Sequence, residues 1–391
     1  MARLARIEVF SPEEVAIVHV MNRVVRRCFL LGDDPVTGKN YDHRKQWIEE
    51  LLRRFSASFG IDLLGFALLS NHFHLILRSR PDVVATWDDA QVARRWLMLC
   101  PVRKTADRQP EEPNEPEIDM IRNDPHKLAA IRSRLSDIGW WMRLLCQQIA
   151  TRANHEDKEV GKFWQARFRA VRLLDEQALL ACAAYVDLNP IRAALAQTLE
   201  TSDYTSVQRR IQAMQTQGTS SKPVGRHFSS SSAAATPATR GRVNKQVSRP
   251  PGKTPMPLPA SPDGFLTPLT LDERSGDLGA VPSRSGLRCS DKGFLELSPT
   301  DYLVLLDWTA RQSVPGKQGR TPKSVRPIFE RLSLSPKTWC ALVGSFGKLF
   351  YNVAGLPPTI EATTSRVTQR RYYVPSLARK LFASATESSS A

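Results

Sequence analysis

Two histidines separated by one residue, His72 and His74, are the side chains of this sequence most suited to metal chemistry. They lie in a short apolar segment, residues 72–78, that predicts a β-strand. Side chains alternate between the two faces of a strand, so the imidazoles would share one face with Ile76, ~7 Å apart. Two such imidazoles can bind one divalent cation. The alternative is a pair of ordinary histidines on a half-exposed strand.

A tyrosine and an asparagine four residues apart form a second candidate group. Tyr185 and Asn189 share one face of a helix predicted from Asp175 to about residue 189, so a phenol and a carboxamide would project together. The alternative assigns no chemistry to either residue. A helical tyrosine often packs at the edge of a core, and an asparagine before Pro190 often only ends a helix.

Aromatic and cationic side chains alternate between residues 161 and 169. This segment contains Trp164, Arg167 and Arg169. Such a strip can stack bases and neutralise phosphates, as in proteins that bind single-stranded nucleic acids. The alternative is an edge strand whose arginines are solvated.

Taken together, these motifs resemble the REP-associated tyrosine transposases, a group of the HUH single-stranded DNA transposases. The resemblance covers about residues 15–200, and residues 81–125 and 201–391 exceed the compact pattern of that group. It is carried by Ser70-Asn71 before the two histidines, by Phe163-Trp164 through Arg167-Phe168, by Tyr185 followed by Asn189-Pro190, and by the opening segment His19-Val20-Met21-Asn22-Arg23.

The resemblance implies a divalent metal site and a covalent DNA intermediate. His72, His74 and Asn189 would hold Mg²⁺ or Mn²⁺, and Tyr185 would attack a DNA phosphate, leaving a 5′-phosphotyrosine and a free 3′ hydroxyl. A phenol with an ordinary pKa of ~10 is a poor nucleophile at neutral pH, so a cation must polarise the phosphate. The ligand set carries no negative charge, so metal binding should be weak without DNA. The implied partners are single-stranded, hairpin-forming DNA and a second copy in a homodimer.

Two other functions remain open for the same residues. A domesticated, non-catalytic protein that binds DNA hairpins would depend on Arg23, Trp164, Arg167 and Arg169, and it would not need Tyr185. A histidine-anchored metal hydrolase of a small phosphoester would use water as its nucleophile and form no covalent intermediate.

The order of predicted elements indicates the fold class. Strand, helix, strand, strand, helix, strand, helix predicts an α+β domain with a ferredoxin-like antiparallel sheet and flanking helices over residues 15–200. Residues 81–125 would form an inserted loop, because three prolines fall within residues 109–116. The predicted strands cover residues 17–24, 61–69, 72–78 and 163–173, and the predicted helices cover residues 41–59, 88–99, 125–153 and 175–189.

The second half of the chain differs in composition from the first. Residues 216–285 predict a disordered linker, residues 294–352 a small module of three helices, and residues 353–391 a basic tail. Residues 1–200 hold 29 basic and 27 acidic side chains, so most of the net charge of +16 lies in the second half. This excess predicts non-specific DNA affinity through counterion release. The alternative is a solvated tail that aids solubility.

Length, charge and hydropathy narrow the class of protein. A chain of 391 residues exceeds what one core usually organises, and a pI of about 9.9 favours a polyanionic partner. No apolar run approaches the roughly 18 residues of a membrane span, and the start lacks the apolar run of a signal peptide, which predicts a cytoplasmic protein. Six cysteines without a Cys-x-x-Cys pair predict free thiols in a reducing compartment.

Overall fold

A computed structural model describes residues 6–25, 30–34, 38–220, 261–271, 279–312, 320–364 and 371–387. These residues form a mixed α+β fold in which helices flank both faces of one five-stranded sheet. The strands are β1 (Ile17–Arg23), β2 (Ile61–Leu68), β3 (His72–Ser79), β4 (Arg169–Leu173) and β5 (Val353–Ala354). The helices are α1 (Arg6–Val9), α2 (His43–Ser58), α3 (Pro81–Val84), α4 (Asp89–Leu99), α5 (Glu115–Arg122), α6 (Pro125–Leu135), α7 (Ile138–Asp157), α8 (Glu176–Asp187), α9 (Asn189–Arg192), α10 (Ser206–Ser220), α11 (Pro299–Gln312), α12 (Arg326–Arg331), α13 (Pro336–Leu349), α14 (Pro357–Ala362) and α15 (Ser376–Glu387).

The strands lie in the order β2-β3-β1-β4-β5. The first four pair antiparallel, and β5, contributed by the second half of the chain, pairs parallel with β4. In the β1–β3 register, Met21 lies opposite His74 and Arg23 opposite His72, while Met21 also lies opposite Arg169 of β4. Paired residues point to the same face of a sheet, so these five side chains project from one face.

The two faces of the sheet pack against two separate apolar cores. Phe73, Leu75 and Leu77 of β3 belong to the first core, which the sheet forms with α2 and the helices α4 to α7. Ile76 belongs to the second core, which includes α8, α11 and α13. The predicted alternation along residues 72–78 is therefore confirmed, and the histidines lie on the face of the second core.

Two predicted elements of the first half are shorter than expected. The predicted helix 125–153 is divided into α6 and α7, because the side chain of Asp137 caps α7 by accepting a hydrogen bond from the Gly139 amide at 2.6 Å. The apolar periodicity continues from α6 into α7, because both helices pack on the same core. The predicted strand 163–173 is limited to β4, and Trp164 forms only an isolated bridge with Val24.

The helix predicted over residues 88–99 is observed as α4, but the prediction that the rest of residues 81–125 forms a loop is wrong, because α3 and α5 also lie there. Capping boxes begin two of these helices, with Asp88 capping α4 and Asn114 capping α5. Pro116 lies in the first turn of α5, where a missing amide hydrogen costs no helical hydrogen bond. Ile118 and Ile121 anchor α5 to the first core.

Part of the predicted linker packs against the sheet. The Phe265 ring lies 5.8 Å from the ring of Phe66, and the Thr267 amide donates to the Leu63 carbonyl at 3.0 Å. Residues 261–271 thereby cover part of the outer edge of β2, which would otherwise expose unpaired backbone groups. The linker prediction is therefore too long at both ends, since α10 extends to Ser220, while its residues 221–260 and 272–278 lie outside the described part.

The three helices predicted within residues 294–352 are observed as α11, α12 and α13. The predicted basic tail 353–391 is in part folded, since it contains β5, α14 and α15. Ile360 and Ala378 are buried in the second core. These few apolar side chains would not form a core alone, but they complete one that the sheet and α8 already provide.

A buried carboxyl group connects α8 to the second half of the chain. Asp187 accepts hydrogen bonds from the Ser206 hydroxyl at 2.6 Å, the Val207 amide at 3.1 Å and the Tyr302 hydroxyl at 2.8 Å. Burial raises the pKa of Asp187, whereas the hydrogen bonds from Ser206 and Tyr302 oppose that rise. Helix α8 is thus held to α10 and α11 through one buried polar group.

Among the described residues, no helix is both long and apolar enough to cross a bilayer. The five cysteines of the described ranges are free thiols, namely Cys100, Cys146, Cys182, Cys289 and Cys340. Cys28 lies outside those ranges.

Replacing Tyr302 with phenylalanine tests the link between α8 and α11, because it removes one hydrogen bond to Asp187 and keeps the ring. Leaving a buried acceptor without its hydrogen-bond partner costs about 1–3 kcal/mol, and we expect Tyr302→Phe to lower the free energy of unfolding in urea by about that amount. The control is Tyr373→Phe, whose side chain is 80% exposed. Equal stabilities of the two variants would contradict the link.

Candidate functional site

Three histidines lie together on the second-core face of β1 and β3. The ring centroids of His72 and His74 are 5.0 Å apart, and the His19 ring of β1 stacks on His74 at 5.1 Å with an interplanar angle of 11°. His19 and His74 are buried, and His72 is half-buried. His19 was not assigned a role from the sequence, although it shares the alternating face of β1 with Arg23, which could have identified it.

Helix α8 brings a phenol to these histidines. The Tyr185 ring centroid is 5.5 Å from that of His74 and 6.0 Å from that of His19, both in edge-on geometry. The helix ends at Asp187, and Asn189 begins the short helix α9, yet the Asn189 side-chain nitrogen lies 3.1 Å from Nε2 of His74. The structure therefore brings together the four residues that the resemblance assigned to catalysis and metal binding.

Burial keeps the histidines neutral. It lowers the pKa of His72 to about 4, with a further contribution from the Arg23 guanidinium. It also lowers the pKa of His74 well below the usual value, and the neighbouring His19 and His72 add to this effect. Neutral imidazoles retain the lone pair that metal ligation requires.

The phenol is also neutral at physiological pH. Burial, followed by Cys182, raises the pKa of Tyr185, while the Arg192 guanidinium and a hydrogen bond with Asn189 oppose the rise. A raised pKa makes the phenolate harder to form, so nucleophilic attack by Tyr185 would require help from a bound cation or from the cationic side chains nearby.

The side chains at the site fit a divalent cation held by nitrogen and oxygen ligands. Nδ1 of His72 lies 2.7 Å from the side-chain oxygen of Asn71, and donation of its hydrogen to that oxygen would leave Nε2 with its lone pair. Asn189 can offer its carboxamide oxygen, since turning the amide exchanges its oxygen and nitrogen. In the described ranges, no group of three or more His, Cys, Asp or Glu could hold a metal ion. A divalent cation bound here would have two imidazoles and one carboxamide as its protein ligands, all uncharged.

A pocket of about 460 Å³ opens between the histidines, Tyr185 and α13. Four cationic side chains line it, Arg23, Arg169, Arg192 and Lys348, and the described residues of its wall include no Asp or Glu. Uncompensated positive charge around a cavity attracts an anion, and arginine in particular matches the geometry of a phosphate.

The four residues expected to bind DNA separate into two groups. Arg23 and Arg169 line the pocket, whereas Arg167 is exposed outside it. Trp164 lies on the opposite face of the sheet, where its indole nitrogen donates to the Cys146 carbonyl at 2.8 Å and its ring packs edge-on against Phe73. Packing accounts for this tryptophan without a stacked base.

Helix α13, from the second half of the chain, forms one wall of the pocket. The Phe346 ring stacks on Tyr185 at 5.7 Å with an interplanar angle of 29°. The Arg192 guanidinium donates to the Val343 carbonyl at 3.0 Å and to that of Gly344. This wall could not be predicted from the sequence, because no local pattern connects residues 343–348 with a tyrosine more than 150 positions earlier.

Comparison with known proteins yields one similar structure. Neither the models of known families nor curated protein sequences match this chain. Among solved structures, the chain is similar to that of a REP-associated tyrosine transposase bound to a REP hairpin, with 11% identity and a TM-score of 0.31. The alignment covers 54% of this chain and 86% of the other. A score this low carries no weight for function, which has to be inferred from the geometry of the site.

Two glycines of α13 form a matched pair for testing the contact with Tyr185. A Cβ at Gly344 would meet no atom within 4 Å, whereas a Cβ at Gly347 would lie 3.0 Å from the Tyr185 hydroxyl oxygen. Replacing a helical glycine with alanine stabilises by roughly 0.5–1 kcal/mol, which we expect for Gly344→Ala. Gly347→Ala should gain less, because Tyr185 has to shift. Thermal unfolding compares the stabilities of the two variants, and equal gains in stability would show that α13 has no close contact with Tyr185 at Gly347.

Proposed function

We propose that this chain is a transposase that cleaves and rejoins single-stranded DNA through a 5′-phosphotyrosine intermediate. The observation that carries the proposal is the content of one pocket. It holds the phenol of Tyr185, the neutral imidazoles of His72 and His74, and four cationic side chains without a carboxylate. A nucleophile, potential metal ligands and a site for a phosphodiester are the components that such a reaction requires.

The arrangement of the sheet supports the same proposal. The first four strands lie in the order β4-β1-β3-β2 and all pair antiparallel, with α2 between β1 and β2 and helices α3 to α7 between β3 and β4. This is the arrangement expected of a ferredoxin-like βαββαβ domain. We therefore assign residues 15–200 as an HUH-type domain, in which α8 adds the tyrosine.

The proposed step exchanges one phosphoester bond for another. The Tyr185 oxygen forms a bond to phosphorus while the bond between phosphorus and the 3′ oxygen breaks. The phenol loses its proton, and the displaced 3′ oxygen gains one to become a hydroxyl. Arg23, Arg169 and Arg192 would bind and orient the phosphate. Bound Mg²⁺ or Mn²⁺, held by His72, His74 and Asn189, would supply Lewis-acid stabilisation of the displaced oxygen. Attack by the free 3′ hydroxyl reverses the step, so no external energy source is needed.

The charges of the pocket couple metal binding to DNA binding. The proposed ligands are neutral and the surrounding side chains are cationic, so a divalent cation alone would meet repulsion. A phosphodiester brings negative charge and an oxygen ligand, which removes the repulsion. We therefore expect Mn²⁺ to bind tightly only when single-stranded DNA is present. Because each chain carries one such tyrosine, joining two DNA ends favours a homodimer.

One observation favours the non-catalytic, hairpin-binding alternative. Tyr185 packs against Phe346, and its pKa is raised by burial, so its ring has a packing role whether or not it reacts. In that alternative, the cations of the pocket bind DNA without any covalent chemistry.

The substitution Tyr185→Phe separates these functions. We expect the wild-type protein with Mg²⁺ or Mn²⁺ to form a protein-linked band on a denaturing gel with labelled single-stranded oligonucleotides from DNA flanking its own gene. Tyr185→Phe should abolish that band and retain DNA binding, because only the nucleophilic oxygen is removed. The exposed Tyr373 provides the control, and Tyr373→Phe should leave the band unchanged.

Other outcomes of this experiment would support one of the two alternative functions. Binding by the wild-type protein without any band, with or without chelator, would support the hairpin-binding protein. Hydrolysis that persists in Tyr185→Phe would support a metal hydrolase with a water nucleophile.

Two lysines of α13 test whether the second half contributes to DNA binding. Lys348 lines the pocket, whereas Lys337 is exposed at the other end of the same helix and outside it. Losing one phosphate contact to a single strand reduces the slope of log K against log salt by about 0.7. We expect this reduction for Lys348→Gln in anisotropy titrations and none for Lys337→Gln, and identical slopes would refute the contact. Point substitutions are preferable to truncation, because α11 and α13 belong to the second core.

A further inference from the structure

Both ring nitrogens of His74 have a partner in this structure. Nδ1 lies 2.9 Å from Nε2 of His19, and Nε2 lies 3.1 Å from the side-chain nitrogen of Asn189. His74 is therefore the central member of a chain that runs from β1 through β3 to α9. His19 belongs to residues 19–23, which contribute to the resemblance, but the resemblance assigns no role to it.

A single hydrogen determines which nitrogen of His74 can bind an ion. The two ring nitrogens are within hydrogen-bond distance of each other, and both histidines are buried, which disfavours the charged imidazolium form, so both rings are neutral. A neutral imidazole has one N–H and one lone pair. If the hydrogen between the two rings belongs to Nδ1 of His74, then its Nε2 keeps a lone pair. If it belongs to Nε2 of His19, then His74 carries its hydrogen on Nε2 and cannot be a ligand through that atom.

The surroundings of His19 fix its ring in one position. Its side chain is 6% exposed, and it lies between Ile76 and Val171 in the register of the sheet. The rings of Tyr185 and Phe346 contact it edge-on, with centroids at 6.0 and 6.2 Å. A ring held in this way presents Nε2 to His74 in a constant direction.

The acceptor that orients a metal-binding histidine is normally a carboxylate, a backbone carbonyl or water. Among the described residues that line this pocket there is no carboxylate, and the atom facing Nδ1 of His74 is the imidazole nitrogen of His19. At His72, the side-chain oxygen of Asn71 occupies the corresponding position. At both proposed ligands Nδ1 is bonded to a neighbouring side chain, and Nε2 is the atom that would bind the ion; at His74 this atom lies beside Asn189, the third proposed ligand.

We propose that His19 is a positioning residue that accepts the Nδ1 hydrogen of His74 and thereby keeps the Nε2 lone pair of His74 available to the pocket. The inference rests on the proposed function, because it gives His74 the role of a ligand. It adds a residue of β1 that acts on the ion only through His74.

The tautomer of His74 can be measured without metal or DNA. In the full chain labelled with ¹⁵N-histidine, long-range ¹H–¹⁵N correlation spectra distinguish protonated from unprotonated ring nitrogens, and a His74→Gln variant assigns the signals among the seven histidines. We expect Nδ1–H in the wild-type protein. His19→Gln, whose amide oxygen can accept the same hydrogen, should keep this tautomer, whereas His19→Leu should lose it.

Metal binding provides the second measurement. Loss of an orienting partner typically weakens metal affinity about 10- to 100-fold, so we expect His19→Leu to weaken Mn²⁺ binding by that factor in the presence of a single-stranded oligonucleotide, and His19→Gln by about threefold or less. The control is Val20→Ala, which removes apolar contacts from the other face of β1. It should lower the melting temperature without changing the tautomer or the affinity.

A wild-type His74 with its hydrogen on Nε2 would overturn the proposal, as would a His19→Leu variant that keeps both the Nδ1–H tautomer and the Mn²⁺ affinity. If His19→Leu does not fold, the spectra of the wild-type protein and of His19→Gln still show whether Nδ1 of His74 carries the hydrogen. The tautomer does not depend on the covalent step, so failure of Tyr185 to link to DNA would reject the proposed function and leave this result standing.

Discussion

The register of β3 between β2 and β1 is the constraint on which the candidate site depends. Phe73, Leu75 and Leu77 point into the first core, and His72 and His74 therefore point to the other face. A slip of one residue would exchange the two sets. Each of the three apolar side chains contributes about 1.5–3 kcal/mol when buried, so the first core sets the direction of imidazoles that it never contacts.

Helix α8 is shared by the two halves of the chain. Its N-cap residue, Asp175, accepts hydrogen bonds from the Ala178 amide at 2.9 Å and from the Leu356 amide, and Asp187 at its other end accepts one from Tyr302. Both ends of the helix that carries Tyr185 are thus bonded to the second half. Since Phe346 also stacks on Tyr185, the second half supports the position of this tyrosine and is not an appended module.

The charges around the site favour an anion. Buried histidines remain neutral, and arginines and a lysine surround them without carboxylates in the described wall of the pocket. Such a pocket favours the binding of a phosphodiester before that of a divalent cation. The same burial disfavours the phenolate of Tyr185, so in the proposed reaction the phenol would depend on the charges of a bound substrate and ion.

The sequence by itself determined which residues are candidates for the chemistry, because the relations that identify them are local. Alternation within β3 and the Tyr185–Asn189 spacing near the end of α8 depend only on backbone geometry, and the structure brings these residues together. Only the tertiary structure decided that His19 contacts His74, that Trp164 packs on the opposite face, and that α13 covers Tyr185. These contacts join segments distant in the chain, and they follow from how two cores bury their apolar surface, which no short-range pattern encodes.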